Sequence, residues 1–152
     1  MSKLDKALSI LLIVAIVATL GWIVYIAATP KKGEEFTEKF TEFYILGTEG
    51  KAQDYTKQAS VGEPINIIMG VINHEHQPAS YLVRITINGI DSKKVNIGAL
   101  AHGEKWEEKI SFTPQVPGDK QQVNFYLYKN GDDKPYLEEP LRLYIDVTVP
   151  FQ

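Results

Sequence analysis

The sequence contains no cysteine, and this absence removes several kinds of chemistry. The chain can form no disulfide, no thiolate zinc site, no cysteine-bound iron–sulfur cluster and no cysteine-ligated blue-copper centre. A cysteine nucleophile is excluded for the same reason. Compartment stays open, because disulfide-free domains occur on both sides of a membrane.

Common catalytic and nucleotide-binding motifs are also missing. The sequence has no G-x-S-x-G, Walker loop, H-E-x-x-H or G-x-G-x-x-G, and no N-x-[ST] glycosylation acceptor. With 152 residues it has room for one ordinary domain, which excludes a multi-domain enzyme or a polytopic transporter. We therefore expect a protein that is not an enzyme and carries no cofactor.

Charge is distributed unevenly along the chain. The first 33 residues hold four lysines and one aspartate, whereas the remaining 119 hold 12 basic and 18 acidic side chains, a net charge of −6. Nucleic-acid binding needs clustered Lys and Arg to replace the counterions of the phosphates. The acidic body therefore predicts no nucleic-acid partner.

Residues 7–30 contain no charged side chain and predict a transmembrane helix. A helix of this length spans about 36 Å, more than the roughly 30 Å hydrocarbon core of a bilayer. Trp22 and Tyr25 lie near its C-terminal end, where aromatic rings favour the headgroup level. We predict a membrane anchor over residues 1–30, with the bilayer as a partner of Leu8, Leu12, Val17, Trp22 and Tyr25.

Three versions of this segment remain open: an uncleaved anchor, a cleaved signal peptide, and a prepilin-like segment. The anchor is favoured, since the apolar run exceeds a normal signal-peptide core and no clear small-x-small cleavage site follows it. Lys6-Ala7-Leu8-Ser9 is similar to the start of archaeal pilins and archaellins. Lysines flank both ends equally, so the positive-inside rule does not fix orientation. We expect a single-pass protein with an extracellular C-terminal domain.

After a polar stalk over residues 31–39, residues 40–152 show short apolar runs separated by turn residues. Strict alternation is clearest over residues 80–88, 105–112, 122–129 and 141–149, and Asn88-Gly89 is a strong turn signal. About seven strands at roughly ten-residue spacing predict an Ig-like antiparallel β-sandwich. The predicted fold class is mainly β, with one N-terminal transmembrane helix.

His74, His76 and His102 are the candidate metal ligands, because imidazole binds zinc and copper readily. Against this, residues 73–78 lie between two predicted strands and include a proline, so they are interpreted as an exposed turn. Solvated surface histidines are the favoured explanation, and we predict no metal site.

Two groups of carboxylates invite comparison with known sites. Glu104, Glu107 and Glu108 surround Trp106, an arrangement that could act on or bind a glycan. A strand with a charged outer face and a core tryptophan explains it better.

Asp132, Asp133, Glu138 and Glu139 form an acidic patch, but their spacing does not match a calcium loop and favours a solvated turn.

The body resembles the C-terminal domain of the archaeal domain-of-unknown-function family number 1616. The strings that carry the resemblance are FTEFYILGTEGKAQDY, VGEP, GVINHEHQPASYLV, HGEKWEEKISFTP and FYLYKNGDDKPY. The resemblance implies a membrane-tethered, Ig-like, cell-surface module with no assigned activity. Family members typically carry several membrane spans before this domain, whereas this sequence shows one.

The favoured function is a membrane-anchored interaction or structural module at the cell surface. We expect a protein partner in a membrane or surface-layer complex, with a glycan as a further possible ligand. Pairing of a free strand edge with the partner is one candidate mode of binding. The alternatives are a pilin- or archaellin-like filament subunit and a metal- or glycan-binding receptor domain.

Overall fold

The computed structural model describes residues 3–28 and 38–150, which contain one helix and eight strands. The chain divides into two units, Met1–Thr37 and Glu38–Gln152. Their boundary falls within the predicted stalk. Residues 1–2 and 29–30 of the predicted anchor, residues 31–37 of the stalk and residues 151–152 of the predicted sandwich lie outside the described residues.

Helix α1 spans Lys3–Ala28, and it is long and apolar enough to cross a membrane. The predicted anchor side chains, Leu8, Leu12, Val17, Trp22 and Tyr25, are all exposed. Within the helix, the Ser9 hydroxyl donates to the Asp5 carbonyl and the Thr19 hydroxyl to the Ile16 carbonyl. These polar groups are thus satisfied without an external partner. The N-terminal segment is a membrane anchor or a signal sequence.

The strands are β1 (Phe40–Leu46), β2 (Gln58–Ser60), β3 (Ile65–His74), β4 (Ala79–Ile87), β5 (Ile90–Leu100), β6 (Lys105–Phe112), β7 (Gly118–Lys129) and β8 (Leu141–Thr148). They form a three-stranded sheet, β1-β3-β6, and a five-stranded sheet, β2-β8-β7-β4-β5. All pairs are antiparallel except β2 with β8. The predicted mainly β, Ig-like sandwich is confirmed, with one short strand, β2, that was not expected.

The core lies between the two sheets and is built from alternate residues of each strand. Met69 and Val71 of β3 and Val83 and Ile85 of β4 belong to this one core, and all four are fully buried. Each such side chain contributes roughly 1.5–3 kcal/mol by leaving water. Phe112 of β6 and Phe125 of β7 meet edge to face, with ring centroids 5.9 Å apart, and this contact joins the sheets.

Candidate binding surface

The predicted histidine group does not assemble as one site. His74 ends β3, its ring Nε2–H donates to the Glu42 carboxylate at 2.8 Å, and the ring stacks on Phe40. His76 and His102 stack on each other instead, with ring centroids 4.7 Å apart. Among residues 3–28 and 38–150, no three His, Asp or Glu side chains are grouped so that they could hold a metal ion.

The exposed-turn interpretation of residues 73–78 is correct for His76, Gln77 and Pro78 but wrong for the residues before them. Asn73 is fully buried within β3, where its side-chain amide donates to the carbonyls of Gln77 and Leu100. Its side-chain oxygen accepts the backbone N–H of Glu75. This amide folds the chain back into the sandwich, so Glu75, two residues further on, is buried too.

Glu75 is a buried carboxylate, only 6% exposed, that joins four parts of the sandwich. It pairs with Lys129 at 3.0 Å and accepts a hydrogen bond from the Thr41 hydroxyl at 2.8 Å. Thr41 in turn bonds the Tyr81 hydroxyl, and the Lys129 ammonium lies over the Tyr136 ring. A buried charge needs such partners, since an unpaired one is costly to desolvate. We interpret this cluster as structural.

The pKa of Glu75 reflects this competition. Burial tends to raise the pKa, but the Lys129 ion pair and the Thr41 hydrogen bond outweigh it and hold the pKa below its usual value. The carboxylate is therefore ionised at neutral pH, when it ties β1 to the ends of β3 and β7.

Two of the three carboxylates around Trp106, Glu104 and Glu107, make separate contacts within the described residues. Trp106 is half-buried and packs against the core, as predicted. Glu104 accepts the backbone N–H of Ala101 in a loop. Glu107 lies on the outer face of β6, where Lys105 at 2.8 Å and the Tyr44 hydroxyl lower its pKa. The group therefore does not form a pair of acids facing a common substrate.

Free strand edges in the described part of the chain are partly closed by side chains. The Tyr136 hydroxyl accepts the N–H of Thr41, and the Tyr55 hydroxyl donates to the carbonyl of Ile45, so both ends of the β1 edge are occupied. Across the sandwich, Lys93 of β5 donates to the carbonyl of Ser111 on β6. Side chains placed on an edge in this way discourage pairing with a strand of another chain.

The outer face of the five-stranded sheet carries a row of tyrosine and arginine side chains. We call this set the tyrosine face, and its members are Arg84, Tyr126, Tyr128, Arg142 and Tyr144. Cross-strand register places Arg84 opposite Tyr126, and all five side chains are at least partly exposed to solvent. Among the three tyrosines of this face, Tyr144 is the most accessible, at 56% exposure.

Packing between these side chains holds the tyrosine face in shape. The Arg84 guanidinium carbon lies 5.1 Å from the Tyr126 ring centroid and 6.0 Å from that of Tyr128. Arg84 also lies 3.6 Å from the Asp91 carboxylate. Arg142 donates to the side-chain oxygen of Asn124, a neutral group. Within the described residues Arg142 has no carboxylate partner, so its charge is available to a ligand.

The family model of the domain of unknown function DUF1616 matches residues 30–148. The chain belongs to the DUF1616 family. The resemblance noted in the sequence is therefore confirmed across the whole sandwich. No curated protein sequence matches this DUF1616 chain.

Solved structures share the fold of this DUF1616 domain at low identity. The CARDB domain of PF1109 from Pyrococcus furiosus, determined in solution by NMR, is 17% identical with a TM-score of 0.52, over 74% of this chain and 100% of that one. The crystal structure of the same CARDB domain in complex with di-metal ions is 16% identical with a TM-score of 0.49, over 75% of this chain and 99% of that one. A β-glucosidase from Listeria innocua is 12% identical with a TM-score of 0.46, over 74% of this chain and 17% of that one. The first of these similarities, the one with a TM-score above 0.5, supports an Ig-like fold for this domain and nothing beyond the fold.

The residues of the tyrosine face were not singled out from the sequence of this DUF1616 protein. Alternation places Arg84, Arg142 and Tyr144 on the polar side of their strands, but it does not distinguish that side from ordinary solvated surface. The available signal was composition: three of the outward positions on β7 and β8 are tyrosine, a residue more frequent at interfaces than on other surfaces.

Proposed function

We propose that this DUF1616 protein is a membrane-anchored interaction module that acts by binding and not by catalysis. Helix α1 holds the chain in the bilayer, and the sandwich is displayed on the outside of the cell. The tyrosine face binds a partner protein of a membrane or surface-layer complex. The observation that carries this proposal is the row of partly exposed Tyr and Arg side chains on one sheet.

Tyrosine and arginine suit this role for physical reasons. Both are enriched at the centres of protein interfaces, where they bury a large area and also form hydrogen bonds. Cation–π contacts already order Arg84 against Tyr126 and Tyr128, so less conformational entropy is lost on binding. The unneutralised charge of Arg142 calls for a carboxylate on the partner.

The outer face of the three-stranded sheet provides a contrast. There Tyr44, Lys105 and Glu107 bond to one another, and His74 bonds to Glu42. Side chains that already satisfy each other gain less from a new partner, because binding must first break existing hydrogen bonds. The five-stranded sheet is therefore the favoured binding side.

Photo-crosslinking on intact membranes tests the proposal. A photoreactive amino acid replaces Tyr144 in the full-length chain, and the matched control carries it at Lys109, an exposed position on the other sheet. After mild-detergent purification, we expect one discrete adduct from position 144 and none from position 109. Equal adducts from both positions, or none from either, would contradict the proposal.

The filament alternative is decided by the mature N-terminus. An archaellin-like subunit would lose its first residues up to Ala7 and form large homopolymers through its apolar helix. An anchored module retains Lys3 to Ala7 and the whole of α1. The intact mass of the purified chain distinguishes the two, and a mass without the first seven residues would favour the filament.

A further inference from the structure

A depression lies at one end of the tyrosine face, beside the turn that follows β7. It has a volume of about 480 Å³, within the roughly 300–1,000 Å³ typical of ligand sites. Its apolar part is formed by Leu82 and Tyr128. Its polar lining comes from three chain segments, with side chains of Ser80, Arg84, Lys94, Asn96, Asp132 and Asp133.

The turn that forms one wall of the depression is held firmly in place. Asn130 and Ser80 exchange two hydrogen bonds: the Asn130 N–H donates to the Ser80 carbonyl, and the Ser80 N–H donates to the Asn130 side-chain oxygen. Asn130 and Gly131 both have positive φ, 53° and 72°, which fixes the sharp turn. Asp132 and Asp133 are therefore presented at defined positions.

Several polar groups around the depression are unused within the described residues. Asp132, Asp133 and Lys94 form no side-chain hydrogen bond or ion pair there, although all three line the same space. The Asn96 side-chain oxygen accepts the Gly98 N–H, which leaves its NH₂ group free to donate. Donors and acceptors thus surround an apolar floor without neutralising one another.

We propose that this depression binds a neutral sugar ring carried by the partner. Each sugar hydroxyl both donates and accepts, so it can bridge the Asp132 and Asp133 carboxylates to the donors on Lys94 and Asn96. The C–H face of the ring would pack on Leu82 and Tyr128. Two cationic and two anionic side chains line the space, so the lining has no net charge and favours a neutral ligand.

This inference rests on the proposed function, since the depression is continuous with the tyrosine face through Arg84 and Tyr128. The test uses the full-length chain in nanodiscs and saturation-transfer NMR. The probes are the methyl glycosides of glucose, galactose, mannose and N-acetylglucosamine, each at about 10 mM, a concentration that reveals even millimolar binding. We expect saturation transfer to at least one probe.

Paired variants locate the binding. In D132N/D133N the carboxylate acceptors are lost, and we expect the affinity for the bound probe to fall at least about tenfold. The control, E138Q/E139Q, removes two exposed acids of the same loop that do not line the depression, and we expect affinity within about twofold of wild type.

Two outcomes would overturn the sugar site: no transfer to any of the four probes, or equal weakening in both double variants. The crosslinking experiment separates this failure from failure of the proposed function. A discrete adduct from position 144 without any sugar binding would leave a protein-only partner. If neither a crosslinked adduct from position 144 nor sugar binding is observed, the proposal that this sheet face binds a partner is contradicted.

Discussion

The ring of Tyr44 on β1 lies directly over Gly70 on β3, and its hydroxyl reaches Glu107 on β6. One side chain therefore crosses the whole three-stranded sheet. This crossing is possible because Gly70 has no Cβ, and a methyl group there would overlap the Tyr44 ring. The Tyr44 ring covers the Gly70 backbone, and the absence of a Cβ at Gly70 leaves room for the ring.

We expect Gly70→Ala to destabilise the sandwich by about 1–3 kcal/mol, since the added methyl group forces the Tyr44 ring away from the sheet. The change would be measured by chemical denaturation of the full-length chain. The double variant Gly70→Ala/Tyr44→Ala removes the overlap, so the alanine at position 70 should cost clearly less in that background. If Gly70→Ala destabilises the protein equally with and without the Tyr44 side chain, the overlap with the Tyr44 ring is not the cause of the destabilisation.

Substitution of Lys129 by methionine should be among the most destabilising single changes outside the apolar core. It leaves the Glu75 carboxylate buried without its cation, at a cost of about 3 kcal/mol. This is the lower end for buried pairs, because a quarter of the Lys129 side chain is exposed. Lys134→Met, at an exposed loop position, should change stability by less than about 0.5 kcal/mol.

The Glu75→Gln/Lys129→Met double variant forms a double-mutant cycle with the two single variants. Removal of both charges leaves no uncompensated ion, so the double variant should be more stable than Lys129→Met alone. The free energy of unfolding from denaturant titration gives the coupling. A double variant that loses the sum of the two single costs would show that the ion pair is not coupled.

Stability should also depend on pH through Glu75. Its folded-state pKa lies below the ordinary value of 4.5, so the folded state binds the proton less readily than the unfolded state. The stabilisation is therefore fully present above about pH 4.5 and is lost as the pH falls through the folded pKa. The difference between wild type and Glu75→Gln, measured from pH 7 to pH 3, should shrink over that acid range. A constant difference would contradict this assignment.

Much of the fold could be predicted from the sequence because most strands have one buried and one exposed face. Alternation predicts a strand over residues 105–112, and β6 spans Lys105–Phe112 in the structure. Strand β2, at Gln58–Ser60, was not predicted because a three-residue strand is too short to show a hydrophobic alternation. It exists through its parallel pairing with the distant β8, which no local pattern records.

The candidate sites were harder to predict because they depend on residues from separate strands. Glu75 is buried only because Thr41 and Lys129, remote in sequence, supply its partners. His102 likewise meets His76 through loop packing, while His74 turns to Glu42. Local patterns identify which side of a strand faces water. They do not identify which of those exposed side chains lie together.

Orientation in the membrane can be measured directly because the chain has no cysteine. We expect Glu49→Cys, in an exposed loop of the sandwich, to react with a membrane-impermeant maleimide on intact cells, because the proposed display places this domain outside. Ser2→Cys, on the other side of the apolar segment, should react only after lysis. The wild-type chain is the unlabelled control. Labelling of Ser2→Cys but not Glu49→Cys on intact cells would place the sandwich inside and remove the proposed surface role.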